Sequence, residues 1–139
     1  MTRGKEIMLV VGEASGDMHG ASLVKELMKR DPNLTFFGVA GDQLQRTRFE
    51  PLFTVSELTG MGLLELAGNI KNIVAAYRLL RRALRTRRPS LLILIDFPEL
   101  NLRLAKLAKS LGVPVLYYVS PQVCAWRPRR IRQIAQMVD

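Results

Sequence analysis

Apolar residues along the chain fall into short unbroken runs that alternate with longer stretches spaced at intervals of three and four. The run 91–95, LLILI, is too short and too sharply bounded for a helix; it predicts a strand buried on both faces in the middle of a parallel sheet. That strand ends in a carboxylate, Asp96, and Pro98 stops it. Residues 6–11 (EIMLVV) predict a first strand that breaks at Gly12, 35–40 a second ended by Gly41, 51–54 a short third and 113–119 the last. Between them, 17–30 has a helical face of Val24, Leu27 and Met28, the long stretch 61–88 is helical, and 99–111 is a helix closed by Gly112. A final helix is expected over 129–139, after Pro128. Strand alternating with helix predicts one α/β domain with a mostly parallel sheet and right-handed crossovers.

Position gives Asp96 two meanings. In open α/β sheets ligands bind beyond the carboxyl ends of the strands, where a carboxylate can take a proton from a hydroxyl nucleophile. A carboxylate ahead of a proline can equally cap the next helix. The turn after the first strand, GEASGD at 12–17 with Gly20 one helical turn on, has the same duality. Its backbone N–H groups suit an anion or a sugar hydroxyl at the positive end of a helix, while its glycines also suit a tight turn and nothing more. The glycine spacing fits neither a Walker loop nor a dinucleotide fingerprint, and Ser15 is one place late for a nucleophile elbow. Glu13 and Asp17 favour polar binding there, and His19 reads either as a general base or as a solvated residue near a helix start.

Composition narrows the partners. A chain of 139 residues with 48% hydrophobic and 24% charged residues supports one globular domain. A single cysteine, Cys124, excludes an internal disulfide, no secretory leader pattern is present, and no apolar run approaches the roughly 20 residues of a membrane span, so a cytoplasmic location is expected. The net charge of +9 calls for an anionic partner, and with 6% aromatics, none interleaved among the Arg and Lys, nucleic acid is disfavoured.

The positive charge concentrates in the long helix. Ile70, Ile73, Val74, Tyr77 and Leu80 recur at helical spacing beside Lys71, Arg78, Arg81, Arg82, Arg85, Arg87 and Arg88, with no acid among them. Such a helix either packs on a core with a solvated basic face or lies on anionic lipid. In the last cluster, 117–127, Ser120, Gln122 and Arg127 offer hydrogen bonds and Trp126 a flat surface for sugars, acyl chains or the core, while Cys124 reads as a small buried residue.

GEASGD at 12–17, MGLLEL at 61–66, LIDFPELNLRLA at 94–105 and YYVSPQVCAWR at 117–127, in this order and at these separations, resemble the lipid A disaccharide synthase family. The resemblance implies the N-terminal, acceptor-side Rossmann-like lobe of a glycosyltransferase B fold over 1–139, truncated before the second lobe that holds UDP. It implies inverting transfer of 2,3-diacylglucosamine from UDP to 2,3-diacylglucosamine 1-phosphate, without metal or other cofactor, on the cytoplasmic side of the inner membrane. A non-catalytic lipid-binding module is the alternative. Asp96 matches the catalytic base; Glu13, Ser15, Gly16, Asp17, Asn101, Ser120, Gln122, Trp126 and Arg127 would contact substrates. Leu63, Leu64, Ile70, Ile73, Val74 and Tyr77 would face an anionic inner-membrane surface, and a separate C-terminal lobe is a further expected partner. The chain departs from the family pattern at Glu99, where Asp is usual, at Cys124, where Trp is usual, and at Asp42-Gln43, where a Pro commonly follows the Gly.

Overall fold

Five apolar strands pair in parallel in a computed structural model that describes residues 5–59 and 66–118. The strands are β1 (Glu6–Val11), β2 (Thr35–Ala40), β3 (Phe49–Thr54), β4 (Leu91–Ile95) and β5 (Val115–Tyr118), in the order β3-β2-β1-β4-β5. Each pair is parallel, so every connection must cross over, and helices supply the crossovers: α1 (Ala14–Arg30), α2 (Asp42–Gln45), α3 (Val55–Thr59), α4 (Leu66–Arg87) and α5 (Pro98–Ser110).

The period-two alternation of the strands divides the core in two. Met8, Val10, Phe37, Val39, Leu92, Leu94, Val115 and Tyr117 face α4 and α5, meeting Ala76, Leu80, Leu84, Leu100, Leu104 and Ala108. Ile7, Leu9, Val11, Phe36, Ala40, Ile93 and Ile95 face α1 and α2, meeting Ala21, Val24 and Leu44. Leu92 to Ile95 are at most 1% exposed, which is why the run 91–95 reads as continuously apolar.

Several local features follow from single residues. Gly38 has φ 140°, and a Cβ there would collide with the Leu9 carbonyl, so β1 and β2 approach closely only because residue 38 is glycine. The β2–β3 register slips between Gly38 and Val39 against an edge strand that contains Pro51. α5 ends in a Schellman motif: the Val113 N–H donates to the Ala108 carbonyl at 2.9 Å and the Gly112 N–H to the Lys109 carbonyl at 3.2 Å, with Gly112 at φ 76°. The expected elements are present within the described residues, with differences at their bounds. α1 starts at Ala14, three residues before the expected 17, β3 starts at Phe49, α5 lies one residue earlier than expected and β5 starts at Val115, two residues late, while the short helices α2 and α3 carry no apolar period long enough to announce them.

Candidate functional site

The winding of the sheet reverses between β1 and β4. β1 runs through α1 to β2 on one side, whereas α4 brings the chain back to lay β4 on the other side of β1. Val11 pairs with Ile95 at the carboxyl ends of these strands, so the turn starting at Gly12 and the acid Asp96 leave neighbouring strands side by side. A crevice at such a switch point is the ordinary ligand site of an open α/β sheet.

Glycines allow the two segments to meet. The Phe97 side chain lies on Gly12, where any Cβ would collide with it, and Gly16 and Gly20 of α1 pack on the Ile95 side chain with little room to spare. Close packing therefore accounts for the glycines of GEASGD more directly than turn conformation does.

Asp96 is 7% exposed and has φ 52°, followed by Phe97 at φ 47°. Two successive left-handed non-glycine residues cost roughly 1–2 kcal/mol each, and the surroundings hold them there. The Asp96 N–H donates to the Tyr118 carbonyl at 3.3 Å; the Asp96 carbonyl accepts from Asn101 Nδ2 at 2.6 Å and from the Tyr117 hydroxyl at 3.0 Å. The Asn101 N–H donates to the Phe97 carbonyl at 3.0 Å, and Pro98 opens α5 with Phe97, not Asp96, as its cap residue. Phe97 itself makes no side-chain capping bond.

Two expected substrate contacts are differently employed. The Asp17 carboxylate, 3% exposed, accepts from the N–H groups of Gly41 (3.0 Å), Gln43 (2.7 Å) and Leu44 (3.0 Å). It caps α2 from another helix, because the cap residue Gly41 has no side chain and a Cβ there would strike the Asp17 carboxylate. Asn101 is fully buried and spends Nδ2 on the carbonyls of Ile95 (3.3 Å) and Asp96 (2.6 Å), while its Oδ1 has no hydrogen-bond partner among the described residues. The orientation of that amide is fixed, since turning it over would set an oxygen against two carbonyl oxygens.

Glu13 and Ser15 are exposed at the start of α1, and Glu13, its cap residue, makes no side-chain capping bond. Gly16 is buried against Ile95. His19 is exposed, its ring 5.8 Å from that of Tyr118, and the two border a small apolar cleft with Ser22, Leu23, Glu26 and Ile95.

On α4 the stripe Ile73, Ala76, Tyr77, Leu80, Ala83 and Leu84 faces the sheet, so Ile73 and Tyr77, expected to face a membrane, pack against the core instead. Their helical period is that of a core-facing stripe, which a one-sided apolar pattern cannot distinguish from a lipid-facing one. Val74 is 44% exposed and Leu79 40%. Lys71, Arg78, Arg81, Arg82 and Arg85 are exposed, and no ion pair is formed by them among the described residues.

Leu63, Leu64, Ser120, Gln122, Cys124, Trp126, Arg127 and the expected helix 129–139 lie outside the described residues, as do the side chains of Ile70 and Glu99. Tyr117, not singled out from the sequence, belongs to the site. Its signal was available: it follows Val115 at strand period two, and a buried tyrosine hydroxyl needs a partner. Among the described residues no three His, Cys, Asp or Glu side chains converge to hold a metal ion, and no helix is long and apolar enough to cross a membrane.

The class follows from fold and site together: a parallel α/β sheet of Rossmann-like topology with its crevice at the β1–β4 switch, as in lobes of glycosyltransferase B folds. The solved structure of CalG4, the calicheamicin glycosyltransferase, shares the fold with TM-score 0.60 at 17% identity, over 99% of this chain and 38% of that one. The family model for lipid-A-disaccharide synthetase matches residues 7–139, and the chain belongs to that family of glycosyltransferases. It is 48% identical to the lipid-A-disaccharide synthase of Geobacter metallireducens over 97% of its length, and 50% identical to that of Nitrosococcus oceani over 96%. It spans about a third of each relative, 35% and 34%.

Proposed function

We propose that this chain is the acceptor-side lobe of a lipid A disaccharide synthase and that Asp96 is the general base of its glycosyl transfer. In this reading the 6′-hydroxyl of 2,3-diacylglucosamine 1-phosphate enters the crevice at the switch point. Asp96 takes its proton, the oxygen attacks the anomeric carbon of UDP-2,3-diacylglucosamine from the face opposite the leaving group, and UDP departs. The observation that carries the reading is a shielded carboxylate at the carboxyl end of β4, on a backbone held by three hydrogen bonds, beside the start of α1. Helix N-termini present N–H groups without partners of their own, so the start of α1, with Glu13 and Ser15, is assigned to sugar or phosphate oxygens. Ser120, Gln122, Trp126 and Arg127 are assigned to the substrates by family resemblance, and the UDP lobe to the part of the relatives that this chain does not span.

The exposed side of α4 is assigned to the anionic cytoplasmic face of the inner membrane. Lys71, Arg78, Arg81, Arg82 and Arg85 surround Val74 on that side, and each cation near such a surface contributes about 1 kcal/mol. Both substrates carry acyl chains in this reading, so docking keeps the crevice where they reside.

A chimera tests the assignment of Asp96: residues 1–139 replace the matching third of the Geobacter metallireducens relative, and disaccharide formation is measured from the two purified sugars. Asp96→Asn should lower kcat by about 10²–10⁴-fold with the fold intact. Undiminished turnover would remove Asp96 from the chemistry.

A further inference from the structure

Asp96 can serve as a base only if its carboxylate is already aimed, and its backbone conformation does the aiming. Left to itself, an aspartate prefers negative φ by about 1–2 kcal/mol, so a chain ending at Ile95 would swing the acid away unless something opposed it. The opposing force comes from two donors on one acceptor. The Asp96 carbonyl receives Asn101 Nδ2 at 2.6 Å from α5 and the Tyr117 hydroxyl at 3.0 Å from β5, and both donors are buried. These donors belong to different elements and approach the same oxygen, which fixes the peptide plane between Asp96 and Phe97.

We propose that Tyr117 is a positioning residue of the glycosyl transfer, acting with Asn101 as a clamp on the Asp96 carbonyl that holds the catalytic carboxylate in its left-handed turn. The proposal rests on the reading of Asp96 as the base. Asn101 is the weaker half as a probe, because it also bonds Ile95 and carries an Oδ1 with no partner among the described residues. Tyr117→Phe is the smaller change: deletion of one oxygen leaves the ring in the core, beside Leu94 in the β4–β5 register. The clamp also accounts for a tyrosine at an inward position where Val115, two residues earlier, is purely apolar.

The test is Tyr117→Phe, read in two ways. In the 139-residue chain, a strong intraresidue amide-to-Hα NOE marks positive φ at Asp96, and the variant should weaken it. In the chimera, the same substitution should lower kcat about tenfold, the effect of one hydrogen bond of ordinary net worth, with both KM values within twofold. An unchanged NOE, or a weakened NOE with unchanged kcat, overturns the proposal. Should Tyr117→Phe fail to fold, judged by thermal melting, Asn101→Ala deletes the other donor and is held to the same pair of readouts. Asp96→Asn, run alongside, separates the two ideas: if it retains activity, Asp96 is not the base, whereas loss there with silent Tyr117→Phe leaves the base in place and removes the clamp.

Discussion

At the amino end of the sheet Arg87, the last residue of α4, stacks on the Phe37 ring at 3.8 Å and bridges two carboxylates, Glu6 of β1 and Glu50 of β3. At the carboxyl end Asp96 and Phe97 occupy left-handed conformations and, among the described residues, Asn101 leaves an oxygen without a partner. Both ends hold left-handed non-glycine residues, Arg88 (φ 44°) after α4 and the successive pair Asp96 and Phe97 after β4, but the amino end satisfies its charges and ties α4 to three strands, whereas the carboxyl end keeps an acceptor unsatisfied among the described residues. Stability residues are free to settle into mutual satisfaction, whereas a site that must meet a ligand keeps polar capacity in reserve. The unsatisfied acceptor and the paired left-handed residues thus accord with the proposed placement of the site at the carboxyl end.

The sharpest way to break that contrast is to exchange the expected phenotypes. Asp96→Asn should abolish most turnover in the chimera, about 10²–10⁴-fold, while urea unfolding of the chain moves little. Asp17→Ala should do the reverse. Three N–H groups, two of them on the buried residues Gly41 and Leu44, would lose their acceptor, and the cost should be about 3 kcal/mol in urea unfolding. If Asp17 instead touched substrate, stability would hold and KM would rise.

Arg87→Ala should cost less, about 1–2 kcal/mol, since the pair with Glu50 is largely solvated and the gain from stacking on Phe37 is modest. Its pKa is raised, chiefly by the hydrogen bond to Glu6, against the opposing effect of burial. A cation with a raised pKa contributes its stability below the unfolded value and loses it only as pH climbs through the folded one, far into alkali. Across neutral pH the staple should therefore be insensitive to pH in its arginine, and turnover in the chimera should be unchanged by the substitution.

The fold was more legible than the site. The strands, the helices between them and the parallel sheet followed from uninterrupted runs such as 91–95 and from the helical stretches that separate them, because burial on two faces writes itself into composition, whereas the order β3-β2-β1-β4-β5 did not. The location of Asp96 followed too, since a carboxylate that ends a buried parallel strand must emerge where the crevice opens. What escaped was anything that depends on a contact between distant segments. Asp17 looks like a loop acid at a glycine turn, and only the packing of α1 on α2 shows that its carboxylate replaces the missing side chain of Gly41. Tyr117 reads as an apolar strand residue until its hydroxyl is found on the Asp96 carbonyl. Left-handed φ has at most a weak sequence signal at Asp96, since aspartate visits that region more readily than most residues, and none at Phe97.

The long helix carries the same contrast at smaller scale, and it supplies the least disruptive test. Arg87 and Arg78 lie on one helix with the same charge, yet Arg87 is tied to Glu6 and Glu50 whereas Arg78 is exposed on the far side with Lys71 and Arg85 at steps of seven. If that outer face meets anionic lipid, Arg78→Gln should weaken binding of the chain to phosphatidylglycerol vesicles by about 1 kcal/mol, roughly fivefold, with an effect that shrinks as salt is raised. Its unfolding free energy should stay within about 0.5 kcal/mol of the parent, as expected for a solvated residue with no ion pair among the described residues. Arg87→Ala should show the converse, a stability loss with vesicle binding unchanged. Equal vesicle binding by Arg78→Gln and the parent would mean that the basic face is only a solvated surface, and would leave the exposed Val74 without a ligand as well.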